Sequence, residues 1–168
     1  MRIIDRKFPH HPLQYVLQCL LATAATMVVL LFMNAVAYTA LIAALGASAF
    51  IVFTMPDLNV AKPRFVVGGY TVGIVVGVPL SMVHRWHWLT NLGMAESSSL
   101  VFLGGLAVGL AIFLMVITNT EHPPAAGIAL GLVVSTTWDV ATLAVILNAV
   151  LALSLLKWLL RPFLKNLL

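Results

Sequence analysis

Charge is scarce in this chain. Nine Lys or Arg and five Asp or Glu are all that 168 residues carry, 8% of the total. A soluble domain holds roughly a quarter charged residues, so this chain has too few to clothe a water-exposed surface. The same scarcity, beside 62% apolar residues, excludes a disordered segment. Cysteine is nearly absent: Cys19 stands alone, cannot form an internal disulfide and reads as a small buried hydrophobe within an apolar run. Catalytic motifs are missing as well. There is no Ser/His/Asp constellation, Walker loop, dinucleotide glycine pattern or HExxH, so no enzyme and no cofactor are expected. The net charge of +4 is spread between apolar spans rather than clustered, which argues against nucleic acid as a partner. His10-His11 lacks further ligands, and His84, His87 and Glu96 read as a polar loop, so no metal site is expected.

What is present is apolar length. Residues Tyr15 to Met55 form one uncharged run of 41 residues, about twice what a ~30 Å hydrocarbon core needs. It is expected to fold as a helical hairpin turning between Asn34 and Tyr38. Further apolar stretches are Phe65–Val83, Leu100–Ile117, Ala125–Val134 and Val140–Leu160. Pro63 precedes the first of these, where a missing N–H costs nothing. Ser97-Ser98-Ser99 reads as a helix start. The first run is too long for a signal-peptide core, so no cleaved leader is expected. The class is an all-α polytopic membrane protein, one transmembrane domain over residues 1–168, with the lipid bilayer as its solvent. About six segments are expected, two of them short or broken.

Charge position gives orientation. Arg2, Arg6 and Lys7, then Lys62 and Arg64, then Lys157, Arg161 and Lys165 flank alternate spans, and Arg85 alone falls elsewhere. The positive-inside rule puts both termini in the cytoplasm and requires an even number of crossings, hence six rather than five. A bacterial inner membrane is the expected location. Trp86, Trp88 and Trp138 then lie at the outer interface and Trp158 near the inner one.

Small residues recur every fourth position: Gly69, Gly73 and Gly77; Gly105 and Gly109; Gly127 and Gly131; Ala40, Ala44 and Ser48. Such stripes let helices approach closely in lipid, and they are also compatible with a narrow permeation path. At an offset of 82 residues, Met33 meets Met115, Ala43-Ala44 meets Ala125-Ala126, Thr54 meets Thr136 and Asp57 meets Asp139. The candidate halves are 13–84 and 97–166. A three-span unit repeated in tandem must be inverted, an arrangement found in many secondary transporters.

The most unusual run is Thr118-Asn119-Thr120-Glu121-His122-Pro123-Pro124. The apolar stretch behind it has about 12 residues, or ~18 Å of helix, too short to cross alone. Prolines suit a first helical turn, and a helix start favours an anion. Thr118, Asn119, Thr120, His122, Pro123 and Pro124, with Ser48 from the preceding half, are the candidate substrate-binding residues for a small inorganic anion. His122 and Glu121 are the candidate proton-linked pair, because histidine changes charge near neutral pH and ionisable groups near the membrane are functional by default. The bland alternative is that His122 caps the short helix and Glu121 faces water.

Gly46-Ala47-Ser48-Ala49, Met55-Pro56-Asp57, Lys62-Pro63-Arg64 and the run from Thr118 to Ala125 together resemble the HPP family of small integral membrane proteins, over about residues 15–160. The resemblance implies four transmembrane helices, fewer than the six counted above. It also implies an association with nitrite transport, known among plant chloroplast and cyanobacterial relatives. Glu121 departs from the motif, and no transit peptide is evident. The expected function is a transporter or channel for a small inorganic anion, nitrite first. A non-conducting structural or regulatory subunit and a pore for neutral small molecules are the alternatives. A thin bundle of this size is compatible with a homo-oligomer.

Overall fold

The computed structural model describes residues 12–33, 39–135 and 138–167. The chain runs through α1 (Pro12–Met33), α2 (Thr39–Thr54), α3 (Pro63–Arg85), the short α4 (Trp88–Asn91), α5 (Glu96–Thr118), α6 (Pro123–Val134) and α7 (Val140–Leu160). No strand occurs among the described residues. Four of these helices, α1, α3, α5 and α7, are long and apolar enough to cross a membrane, whereas α2 and α6 are shorter apolar helices. The four long ones account for the count that the family resemblance implied, and the two short ones raise it to six. The expected reversal between Asn34 and Tyr38 lies outside the described residues. Helix α5 begins one residue before the serine run, at Glu96, and Ala95 caps it without a side-chain bond.

Hydrogen bonds define one end of the bundle. Tyr15 Oη donates to the Leu167 carbonyl and Gln18 Nε2 to the carbonyls of Phe53 and Lys165. The Leu167 N–H donates to Thr54 O. The start of α1, the end of α2, and the end of α7 with its tail therefore meet at one level. Lys62, Arg64, Lys157, Arg161 and Lys165 belong to this basic end. At the opposite end, Trp138 Nε1 donates to Ser81 Oγ, Arg85 donates to the Trp138 carbonyl, and the Arg85 guanidinium lies 4.5 Å from the Trp138 ring centroid. Asp139 begins α7 there as a capping box with Thr142.

These two levels settle how α6 runs. Positions along α3 and α6 advance together: Gly69 faces His122 and Ala125, Gly73 faces Ala125 and Ile128, Gly77 faces Ala129 and Leu132. The two helices are parallel. The 12 residues of α6 rise only ~18 Å, and Trp138, beyond its end, lies at the level of Ser81 and Arg85. The segment thus traverses the bundle rather than returning to its own side, and both described ends of the chain meet at the basic end.

Helix α6 sits in the middle, against α2, α3 and α5; α1 packs on α2 and α7, α2 also on α7, and α3 on α5 and α7. Glycine allows the α3–α6 approach. A Cβ at Gly73 would lie 2.6 Å from the Ala125 carbonyl oxygen, inside any real contact distance. The other expected glycine stripes differ in part: Gly105, Gly109 and Gly127 meet nothing within 4 Å, because they lie on outward faces of α5 and α6, whereas Gly131 is buried. Cys19 also differs from its expected burial, being exposed. In a membrane bundle an apolar residue satisfies its solvent on the outside as well as in the core. The outward apolar side chains, among them Leu20, Val101, Phe113 and Leu155, contact the bilayer.

Candidate functional site

Three polar side chains from three elements meet at full burial. Ser48, on α2, Tyr70, on α3, and His122, ahead of α6, are each at most 1% exposed. Ser48 Oγ lies 2.8 Å from both Tyr70 Oη and His122 Nε2, and His122 Nδ1 lies 2.8 Å from the Val60 carbonyl oxygen. A carbonyl only accepts, so Nδ1 carries the proton and donates to Val60. In the neutral ring Nε2 then accepts, from Ser48, and Ser48 in turn accepts from Tyr70. The direction of every bond follows from that one carbonyl. Tyr70 and His122 also lie ring to ring, with centroids 5.8 Å apart.

Local sequence places each partner. His122 is in extended backbone before two prolines, which disfavour helix in the preceding residue. That turns its side chain back toward the 59–61 turn and α2. Gly69 makes room, since a Cβ there would lie 2.8 Å from His122 Cβ; one at Gly68 would strike Thr120. The clasp therefore ties α2, α3, the 59–61 turn and α6 together, and two glycines in α3 are its housing.

The structure brings Ser48 and His122 together and leaves the other expected site residues apart from them. Asn119 adopts left-handed backbone at the end of α5, with its N–H on Val116 O and the Thr120 N–H on Met115 O, a helix-terminating pattern suited to Asn. Thr118 Oγ1 is engaged by the Leu114 carbonyl and by Thr120 Oγ1. Pro123 and Pro124 have no N–H, and the Ala125 N–H donates to His122 O. The start of α6 thus offers no free amide in its first three positions, so an anion there would depend on side chains. Glu121 and His122 border a cleft of about 290 Å³ between α5 and α6 that is otherwise apolar, lined by Ile112, Met115, Val116 and Ala126.

Tyr70, Val60, Ser154 and Lys157 were not expected from the sequence. Tyr70 directly follows Gly69 in the packed stripe, which is the signal that could have found it. Val60 acts through its backbone and left no trace. Lys157 is nine-tenths buried and donates to the carbonyls of Pro56 and Ala61. It continues the buried series Ile146, Val150, Leu153 at helical spacing, although its charge reads as an orientation signal.

The profile of the family described as "HPP, transmembrane region" matches residues 8–165. A transmembrane protein of Dictyostelium discoideum is 35% identical over 92 residues, 54% of this chain. The aligned part is 28% of that relative's length. No solved structure matches the chain.

Proposed function

This chain belongs to the HPP transmembrane-region family, and from that premise we propose that it is a transporter or channel for a small inorganic anion, with nitrite the leading candidate. The observation that carries this reading is the buried row Tyr70–Ser48–His122. Polar groups inside a membrane bundle are costly and mark working paths. Protonating His122 makes Nε2 a donor, so both hydroxyls must reverse and Ser48 must then donate to Tyr70. A proton travelling with nitrite, or arriving as nitrous acid, would reset the whole row and change how α2 is held to α6. His122 is the proton-linked group and Ser48 its first relay. Thr118, Asn119 and Thr120 shape the loop that carries His122, Pro123 and Pro124 hold it extended, and Glu121 borders the approach.

We also read the six main helices as an inverted three-plus-three arrangement, which suits the same proposal. Exchanging α1 with α5, α2 with α6 and α3 with α7 returns the same set of helix neighbours. The two short helices then face each other across the pseudo-axis, the position of broken helices in many secondary transporters. The equivalence extends to place but not to role: Asp139 caps α7, whereas α3 has no side-chain cap and Asp57 lies in the preceding turn. We place the basic end in the cytoplasm.

Nitrite uptake into proteoliposomes tests the proposal. Flux is expected to rise as the outside is acidified, and His122→Ala should abolish that dependence. Absence of flux at every pH, or flux indifferent to His122→Ala, overturns it. One observation favours a second reading, a non-conducting structural subunit: both ring nitrogens of His122 are already partnered. A partner protein retained at fixed stoichiometry through purification would support that instead.

A further inference from the structure

A second cavity, of about 480 Å³, opens at the basic end between the turn after α2 and the last turns of α7. It shares no residue with the clasp. Three of its lining side chains are cationic, Lys62, Lys157 and Arg161, and one is anionic, Asp57. All four line the same cavity and so lie close together. Lys157 spends two of its three N–H donors on Pro56 O and Ala61 O, which fixes the ammonium at the cavity wall and leaves one donor. Lys62 is braced by Asn59 Oδ1 at 2.7 Å.

Ser154 supplies the second, independent sign. It lines the same cavity, is 8% exposed, and its buried Oγ has no hydrogen-bond partner. A helical serine ordinarily returns its hydroxyl to a carbonyl one turn back, and a buried hydroxyl left without a partner is costly. Excess positive charge, a braced ammonium and an idle hydroxyl form a donor set suited to an oxygen anion. Asp57 opposes a highly charged ligand and leaves the site to a weakly charged one.

We propose that this cavity is an oxyanion-binding site, taking either the phosphodiester of an anionic lipid headgroup or a small free oxyanion. Trp158, exposed beside it, suits a site at the bilayer surface. The proposal stands apart from the clasp reading, and neither depends on the other.

Binding to the purified full chain tests it with three probes: sodium nitrite, inorganic phosphate, and nanodiscs of phosphatidylglycerol against phosphatidylcholine, read by Trp fluorescence and by native mass spectrometry for retained lipid. Saturable binding of at least one probe is expected. Ser154→Ala should weaken it about tenfold, the effect of losing one hydrogen bond to a charged group, and Arg161→Gln should weaken it as well. Both changes spare the Lys157 bonds that hold the turn, so the variants should fold; circular dichroism and gel filtration check this. Nitrite or phosphate binding that these variants weaken identifies a free anion as the occupant of this cavity, and selective retention of phosphatidylglycerol that they weaken identifies a lipid. No saturable binding of any probe, or binding unchanged in both variants, overturns the proposal.

Discussion

Ser48 has the hardest place in the clasp, because it is the only member bonded on both sides by side chains. Ser48→Ala would strand Tyr70 Oη and His122 Nε2 together in a buried site, at a cost of about 2–4 kcal/mol. Tyr70→Phe removes only the terminal donor and leaves Ser48 donating to His122, so it should cost about 1 kcal/mol. Thermal unfolding in detergent checks the order. A larger loss for Tyr70→Phe would mean that the bond directions derived from the Val60 carbonyl are reversed. Residues of this kind were half legible in the chain. His122 stood out because ionisable groups are rare here, and Ser48 because it closes a stripe of small residues. Tyr70 was hidden by looking like one more amphipathic aromatic.

Among elements, the α3–α6 contact depends on absent side chains. Gly73→Ala would drive a Cβ into the Ala125 carbonyl, and overpacking of this sort costs about 1–3 kcal/mol. Gly105→Ala meets open space and should be neutral or stabilising by up to ~1 kcal/mol through helix propensity. Equal losses at the two sites, measured by the same unfolding assay, would contradict the packing described. The start of α7 supplies a pH test. Asp139, at the bundle's end, is held below the usual carboxylate range, first by the Thr142 backbone N–H and then by the Thr142 hydroxyl. A lowered carboxyl stabilises the fold above the unfolded value, about 4, and loses that contribution as pH falls through the folded value. Asp139→Ala should therefore lower the melting temperature at neutral pH, and the gap from the natural chain should close in acid. Helix boundaries were readable to within a few residues because prolines and polar runs punctuate the apolar blocks. Which glycines pack inward was not readable, since a small residue every fourth position marks a face without saying what covers it.

At the scale of the whole molecule, bonds such as Tyr15 to Leu167 and Gln18 to Lys165 bring the start of α1 and the tail after α7 to the same end. Single cysteines placed by Lys165→Cys and by Leu92→Cys, in a Cys19→Ser background, should therefore label from opposite sides. With the basic end cytoplasmic, a membrane-impermeant maleimide added to intact cells should reach position 92 and not 165. Labelling of both from one side would refute the six-segment path. The membrane class, the family, the four long helices and the two short ones were all legible in the chain, because apolar length, proline and charge act locally and leave local marks. That α6 runs parallel to α3, that Cys19, Gly105, Gly109 and Gly127 look outward, and that His122 closes on Ser48, Tyr70 and Val60 came only with the folded chain. It alone brought Lys157 and Ser154 to one cavity with Lys62. Those outcomes turn on which faces meet across long stretches of chain, and in lipid the apolar pattern that would normally tell inside from outside is the same on both.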